Sequence, residues 1–159
     1  MPVISRLGRI YFQEKNYLES ERFLLRALEI QERQLGAEHP DLEENYLILH
    51  SVYQALARPE NDERILRHLL ALLCNQLGEN HPRVGKTLLE LAHVYSFLGA
   101  LEEAEPVYER ALGILRPVLK GPDAQVQAAE EELARIKAGR EKVKPESGFE
   151  RLLRWFGVD

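Results

Sequence analysis

Apolar residues recur along the chain at alternating spacings of four and three. The steps run four, three, four and three between residues 42 and 56, and they repeat between residues 84 and 98. This spacing places apolar side chains on one face of an α-helix. The positions are Leu42, Tyr46, Leu49, Tyr53 and Leu56, followed by Val84, Leu88, Leu91, Tyr95 and Leu98. The pattern therefore predicts two amphipathic helices with the same register.

A second helical stripe accompanies each of these patterns after a short turn. Its members are Leu24, Ala27, Leu28 and Leu35, then Leu66, Leu69, Leu70 and Leu77, and finally Tyr108, Ala111, Leu112 and Leu119. The turns fall at residues 14–17, 57–61 and 99–100. Links as short as these make consecutive helices antiparallel. The next unit then opens with Pro40 or Pro82, at first-turn positions where a missing N–H costs little.

The pairs repeat at a fixed offset of 42 residues. Leu-Gly-Ala-Glu-His-Pro at 35–40 recurs as Leu-Gly-Glu-Asn-His-Pro at 77–82. The same offset relates Leu7, Leu49, Leu91 and Leu133, as well as Tyr11, Tyr53 and Tyr95. Repeated helix pairs bury their apolar faces against one another by stacking into a solenoid. We expect a solenoid over residues 1–138, with units at about 3–36, 40–78 and 82–119 and a capping helix at 123–138.

These positions resemble the tetratricopeptide repeat. The first unit matches it with Ile4, Leu7, Gly8, Tyr11, Ser20, Leu24 and Ala27, and the third with Leu88, Leu91, Ala92, Tyr95, Ala104, Tyr108 and Ala111. The 42-residue unit with its Leu-Gly-x-x-His-Pro segment is similar to the repeats of kinesin light chains and many bacterial relatives. The resemblance covers about residues 3–137. It implies an all-α, right-handed α-α solenoid of about three helix pairs that binds other proteins.

The middle unit departs from this pattern in two respects. His50, Asp62 and Leu69 replace the usual small residues, so this unit should pack less closely. In addition, Ala71, Leu73 and Cys74 stand where the first unit has Glu29, Gln31 and Glu32. A helix that is apolar nearly all round is usually buried. A second copy of the chain, the C-terminal segment, or unusual packing within the unit would each cover this face.

The sequence also predicts features at the two ends of the array. By the offset, the first helix would begin before Met1, so the chain is either excised from a longer array or has an incomplete first unit. Near the other end, Pro117 follows Gly113 by four residues, a spacing at which the proline ring clashes with the earlier carbonyl. The second helix of the third unit should therefore kink or end early.

The last residues predict a linker and a short amphipathic helix. Residues 139–146 are charged and form the predicted linker, while residues 147–159 form the predicted tail helix. Its apolar residues are Phe149, Leu152, Leu153 and Phe156, and Trp155 flanks them. A helix of about ten residues is not stable alone. It should dock on its own solenoid, on another copy or on a membrane surface.

Composition and charge narrow the class of protein. Ala, Glu, Lys, Arg and Leu supply 84 of 159 residues, as in long-helix proteins. The net charge of −5 argues against nucleic acid as a partner, although residues 135–159 carry a surplus of three positive charges. No apolar run is long enough to span a membrane. The one cysteine, Cys74, is compatible with a reducing cytosol, so we expect a cytoplasmic protein.

No pattern in the sequence points to catalysis, a metal or a cofactor. The five histidines form no His-x3-His pair, and no Cys-x-x-Cys, phosphate loop or nucleophile elbow occurs. His39 and His81 recur at helix starts, which favours a structural role. We therefore predict a non-catalytic protein without a cofactor.

In the architecture that the resemblance implies, the first helices of the pairs line a concave surface. Their residues outside the apolar stripe are Glu44, Leu47, Ser51, Gln54, Lys86, Leu89, His93, Ser96, Glu131 and Arg135. We refer to these ten residues as the predicted groove. Leu47 and Leu89 would contact apolar groups of a peptide, while Lys86, His93 and Arg135 would bind its acidic groups. The alternative function is self-assembly, as a homodimer, through the middle unit and the tail helix.

Overall fold

Among the residues that the structure describes, seven α-helices stack in chain order, so that each packs on the next. The computed structural model describes residues 3–119 and 121–143, with side chains as far as Gly139, and no strand occurs within those ranges. The helices are α1 (Val3–Gln13), α2 (Tyr17–Leu35), α3 (Glu43–Ala55), α4 (Pro59–Leu77), α5 (Pro82–Phe97), α6 (Leu101–Leu115) and α7 (Ala124–Val143). A 3-10 turn at Pro40–Leu42 precedes α3. The all-α stack of three helix pairs followed by α7 confirms the predicted fold.

The predicted boundaries of the pairs have local causes. The imidazole of His81 caps α5, because its Nδ1 accepts a hydrogen bond from the backbone N–H of Arg83 at 3.1 Å; His39 does the same at the 3-10 turn. Gly78 ends α4 with φ of 86°, a conformation that favours glycine. Helix α6 ends at Leu115, two residues before Pro117, as the sequence predicts. The histidines that mark the repeat are therefore helix caps.

Helix α7 extends beyond its predicted end. It continues to Val143 rather than stopping near Ala138, so the prediction of a linker from residue 139 is wrong for its first five residues. Ala138, Arg140, Glu141 and Lys142 favour a helix, and one glycine at 139 costs only about 1 kcal/mol. The predicted tail helix at 147–159 lies outside the described residues.

A close crossing of α1 and α2 depends on Gly8. The hydroxyl of Ser20 donates a 2.8 Å hydrogen bond to the Gly8 carbonyl oxygen, which draws the two helices together. A Cβ atom on Gly8 would lie 2.7 Å from Cγ of Leu24, a buried core residue. The crossing therefore requires a residue without a side chain at position 8.

Gly8→Ala should lower the free energy of unfolding by about 1–3 kcal/mol, the usual cost of overpacking. Gly113→Ala is the matched control, since a Cβ atom there meets nothing within 4 Å. It should stabilise α6 by up to about 1 kcal/mol, because alanine is the better helix former. Urea unfolding of the two variants measures both changes. Equal effects of the two substitutions would contradict the role of the α1–α2 crossing.

The joint between the first and second units contains a buried polar network. The side-chain amide of Asn45 on α3 donates to Ser5 Oγ on α1, at 3.1 Å, and to Gln31 Oε1 on α2. All three residues are at most 3% exposed. The network therefore ties three helices together at the point where the first unit meets the second.

The burial of the apolar face predicted on α4 can be understood by comparing Leu73 with Gln31, the equivalent residue of the first unit. Leu73 is 2% exposed, so at this position packing within the array, one of the three alternatives that the sequence leaves open, covers the face. The polar character of Gln31 suggested a surface position, whereas the amide is in fact buried and hydrogen bonded. Cys74 is half-buried against the core and Ala71 is exposed. Packing within the array thus covers most of this face.

The crossing of α3 and α4 contains an acid–base pair in place of small residues. His50 Nδ1 lies 2.7 Å from Oδ1 of Asp62, which is 3% exposed. In the third unit Ala92 and Ala104 hold the same two positions, and both are fully buried. The helices of the middle pair approach less extensively than those of the other two pairs, as predicted. The hydrogen-bonded side chains of His50 and Asp62 fill the space that results.

Candidate functional site

Five of the ten predicted groove residues line clefts of the described residues: Glu44, Leu47, Gln54, His93 and Arg135. We name the three clefts that they line the first, central and terminal clefts in chain order. The first cleft, of about 390 Å³, is lined by Gln31, Pro40, Asp41, Glu43, Glu44 and Leu47. The central cleft, of about 290 Å³, is lined by Tyr53, Gln54, Ala57, Arg58, Pro59, Asp62, His93, Val94 and Phe97. The terminal cleft, of about 260 Å³, is lined by Leu101, Glu102, Glu105, Glu132, Arg135, Ile136 and Gly139.

The first cleft is acidic, and its glutamates already have partners. Glu44 pairs with Arg9 of α1, and Glu43 pairs with Arg83 of α5. Leu47, at 42% exposure, supplies the apolar part of this cleft. The ion pairs engage the two glutamates, so the cleft offers a ligand the apolar Leu47 together with the exposed Asp41.

The central cleft lies where the middle unit meets the third. Its walls come from the end of α3, the start of α4 and the second half of α5. Gln54 and His93, both members of the predicted groove, lie on opposite walls. Phe97 is 77% exposed, the largest fraction for any large apolar side chain in the described residues. An open aromatic ring beside a mainly apolar cleft is unfavourable in water, which makes this a candidate contact surface.

The hydroxyl group of Tyr53 is buried away from solvent. Tyr53 lines the central cleft, but its side chain is fully buried and its Oη lies close to Asn61 and Glu21, which do not line the cleft. Burial raises the pKa of this hydroxyl, so it remains a donor at neutral pH. Buried polar groups are normally hydrogen bonded. Asn61 and Glu21 are the polar groups nearest to this hydroxyl, so it is not a contact for a ligand in the cleft.

The charged groups around the central cleft are paired with one another. Arg58 Nη1 lies 3.0 Å from Oε2 of Glu21 on α2, and Asp62 is held by His50. The outer nitrogen of His50, Nε2, is 4.0 Å from Oε2 of Glu90 on α5. The pairing leaves Gln54 and His93 as polar side chains of the lining that can contact a ligand.

One predicted apolar contact is not available. Leu89 is only 2% exposed and belongs to the core cluster that includes Leu133 and Ile136 of α7, so the prediction of Leu89 as a groove contact is wrong. Leu47, one unit earlier, remains exposed. Burial of an apolar side chain is favourable wherever the core has room for it, and helical periodicity alone does not reveal that room.

The remaining groove residues have local roles or stay exposed. The Ser51 hydroxyl donates to the Leu47 carbonyl within α3, and Arg135 pairs with Glu132 at 2.9 Å within α7. Ser96 Oγ is buried without a partner among the described residues. Lys86 and Glu131 are exposed. The acidic-group contacts proposed for Lys86, His93 and Arg135 are thus spread over different parts of the array.

The sequence pattern did not predict Phe97 as a contact residue. It follows His93 by four residues and therefore lies on the same side of α5, whereas the apolar stripe continues through Tyr95 and Leu98. An aromatic residue outside the stripe of an amphipathic helix was the available signal. The predicted docking residues Phe149, Leu152, Leu153, Trp155 and Phe156 lie outside the described residues.

A model of the tetratricopeptide repeat matches residues 2–75 and again residues 43–116. The chain belongs to the tetratricopeptide repeat family. Domains of this family typically serve in protein–protein interaction. Within residues 3–119 and 121–143, no helix combines the length and apolar character needed to cross a membrane. No curated protein matches the chain.

Solved structures with the same repeat arrangement belong to kinesin light chain-like proteins. Two are crystal structures of a Podosopora anserina putative kinesin light chain with nearly identical TPR-like repeats, one of them carrying a single substitution. They are 27% and, for the substituted form, 26% identical to this tetratricopeptide repeat protein, with TM-scores of 0.68 and 0.69 respectively. The match covers 91% of this chain and 71% of theirs.

A third structure, BtubC (BKLC) from P. vanneervenii, has a TM-score of 0.65 at 20% identity. That match covers 89% of this chain and 65% of BtubC. At this identity the likeness concerns the fold alone. The kinesin light chain-like form of the tetratricopeptide repeat, predicted from the 42-residue unit, is confirmed.

Proposed function

We propose that this protein is a non-catalytic adaptor that binds a peptide or protein segment along the first helices of its pairs, with the central cleft as the main contact. The observation that carries the proposal is the exposed Phe97 ring beside a mainly apolar cleft of about 290 Å³. A cleft that size admits one large apolar side chain, whose burial supplies affinity. Membership of a family that typically serves in protein–protein interaction supports the same function.

Polar groups of the cleft would position the bound segment. Gln54 on α3 and His93 on α5 would supply hydrogen bonds to the bound segment. Leu47 in the first cleft lies on α3, as Gln54 does, and provides a second apolar contact. A peptide with two apolar residues separated by a short polar stretch would satisfy both clefts.

The acid–base pair beside the central cleft is consistent with a non-catalytic role. Asp62 holds His50 Nδ1, and His50 Nε2 is directed towards Glu90. Among the residues that line this cleft there is no serine, threonine or cysteine beside the imidazole. A nucleophile within hydrogen-bond reach is required for nucleophilic catalysis by such a pair.

Selection of peptides from a displayed random library against the full chain tests the proposal. Phe97→Ser should weaken the selected peptides at least tenfold, since it removes the largest exposed apolar contact. Val118→Ser is the matched control, because Val118 is also exposed but lies after α6, away from the cleft. Titration calorimetry measures both variants. Failure to enrich any peptide, or equal binding by the two variants, would refute the central cleft as the binding site.

Self-assembly through α4, the alternative function, loses its main support. Leu73 is buried and Cys74 packs partly against the core, which leaves Ala71 as the exposed member of that face. A methyl group offers little contact area. We therefore do not propose α4 as an interface between copies.

A further inference from the structure

Helix α7 has the apolar positions of a first helix, but no second helix follows it among the described residues. Leu133 of α7 stands at the 42-residue offset from Leu91 of α5. Each of α1, α3 and α5 is followed by a helix that folds back and packs against it. The residues after Val143, where α7 ends, are placed to do the same for α7.

The terminal cleft lies beside the second half of α7. Leu101 and Ile136 supply apolar surface to it, and Leu101 is 44% exposed. Gly139 lines the cleft as well, and a Cβ atom at this position would meet nothing within 4 Å. Among the described residues, an apolar space therefore remains beside Gly139.

Segment 147–159, which lies outside the described residues, has one apolar side in a helical register. Arg151 and Arg154 fall on the opposite side, where they would face solvent. A helix of this length is not stable alone, so its apolar side needs a surface to pack against. The residues of that side are Phe149, Leu152, Leu153 and Phe156.

The link between α7 and this segment is short. Three residues separate Val143 from Ser147, so the Cα atoms of these two residues lie at most about 14 Å apart. A tether of this length holds the segment near its own α7 at a roughly millimolar effective concentration, which favours its own copy over a second one. The link contains Pro145, and a helix disfavours the residue before a proline. We therefore expect the chain to reverse here.

The position of the link determines which residues meet the cleft. In an antiparallel pair of helices, residues equally far from the centre of the link lie opposite one another. A reversal centred on Glu146 places Leu153 beside Gly139. Phe156 then lies beside Ile136, and Gly139 and Ile136 both line the terminal cleft. We propose that the segment folds back on its own copy and inserts Leu153 and Phe156 into the terminal cleft.

The length of α7 explains why the segment passes over this cleft. Helix α5 ends at Phe97, the equivalent of Gly139, whereas α7 continues for one more turn to Val143. The returning segment therefore begins farther along and crosses the cleft at the level of Gly139. In the central cleft the equivalent position holds the aromatic ring of Phe97. At the terminal cleft, Leu153 supplies the apolar side chain that Gly139 lacks.

Trp155 reports on docking, because it is the only tryptophan of the chain and flanks the apolar side of the segment. Leu153→Glu with Phe156→Glu, called the tail variant, should prevent insertion. Acrylamide should quench Trp155 at least twofold less in the unaltered chain than in the tail variant. The difference should not depend on protein concentration, and light scattering should give the 18.3 kDa mass of one copy.

A substitution in the cleft tests the position of the contact. Gly139→Glu, called the cleft variant, places a charge where Leu153 would lie, so it should expose Trp155 as the tail variant does. Gly113→Glu is the matched control, since Gly113 is an exposed glycine of α6 whose added Cβ atom also meets nothing within 4 Å. It should leave Trp155 shielded. Gly139→Glu with Leu153→Arg should restore the shielding, because the two charges would pair across the contact.

Circular dichroism shows whether each variant folds, which separates loss of docking from loss of structure. Three results would overturn the proposal. The first is equal quenching of Trp155 in the unaltered chain and the tail variant. The second is shielding that appears only where the mass rises, which would indicate docking on a second copy. The third is a folded cleft variant as shielded as the Gly113→Glu control. None of these results bears on peptide binding at the central cleft.

Discussion

Replacing His50 with alanine should lower the free energy of unfolding by about 3 kcal/mol, because it leaves the buried carboxyl group of Asp62 without its hydrogen-bond partner. Asp62 is 3% exposed, and the imidazole that it would lose lies 2.7 Å from its carboxyl oxygen. Removing Asp62 instead should cost less, because His50 is only half-buried and water can replace the lost partner. Urea unfolding of the full chain measures each variant.

The double variant His50→Ala with Asp62→Ala is the informative control. It reproduces the pair that the third unit holds at Ala92 and Ala104 and leaves no unpaired charge. It should be more stable than His50→Ala alone, even though it removes more atoms. Glu90→Ala should have little effect, since Glu90 is 4.0 Å from His50 Nε2 and partly exposed. A double variant less stable than His50→Ala would contradict the proposed cost of an unpaired Asp62.

Replacing Asn45 with alanine should destabilise the array by about 3 kcal/mol. The change leaves the side-chain oxygen of Gln31 and the hydroxyl of Ser5 without the amide that donates to them. Each buried polar group without a partner lowers the free energy of unfolding by about 1–3 kcal/mol. Hydrogen exchange at the amides of α1–α3 should accelerate, while α5 and α6 should be much less affected, because stability in repeat arrays is largely local.

A second substitution should recover part of that loss. Gln31→Leu with Asn45→Ala reproduces the third joint, where Leu115 and Ala129 hold these positions and are buried. The double variant should be more stable than Asn45→Ala, because no amide remains buried without a partner. Gln31→Leu alone should be destabilising, since it removes one of the two acceptors of the buried Asn45 amide. If the single and double variants unfold at the same urea concentration, the network contributes little.

Because the sequence repeats, most of the fold could be predicted from it. A single offset located the helix pairs, and the glycines, prolines and histidines at their ends lie at the boundaries that the structure shows. Helix α7 ran past its predicted end because a lone glycine at position 139 weakens a helix without stopping it. The ends of helices are determined by residues close to them in the chain, so a single sequence was enough to predict most of the boundaries.

Burial at the joints between units was harder to predict. The amide of Gln31 is typical of a surface residue, but Asn45, fourteen residues later, satisfies it in the core. Leu89 and Leu47 hold equivalent positions, and only Leu89 is buried. The periodicity of one helix gives the direction of a side chain but not what a different helix places opposite it. The central cleft was found only in part for the same reason, since its walls belong to three helices.

The network of Ser5, Gln31 and Asn45 also fixes the order of the units. Repeat arrays are often treated as strings of exchangeable modules. Here the first unit contains the buried amide of Gln31, which needs a hydrogen-bond partner from the unit that follows it. Only the second unit supplies that partner, Asn45. Thr87 and Ala129 stand at that place in the units that follow. An array in which α7 followed the first unit directly would bury the amide of Gln31 against the methyl group of Ala129. The contacts at the joint therefore determine which unit can follow the first.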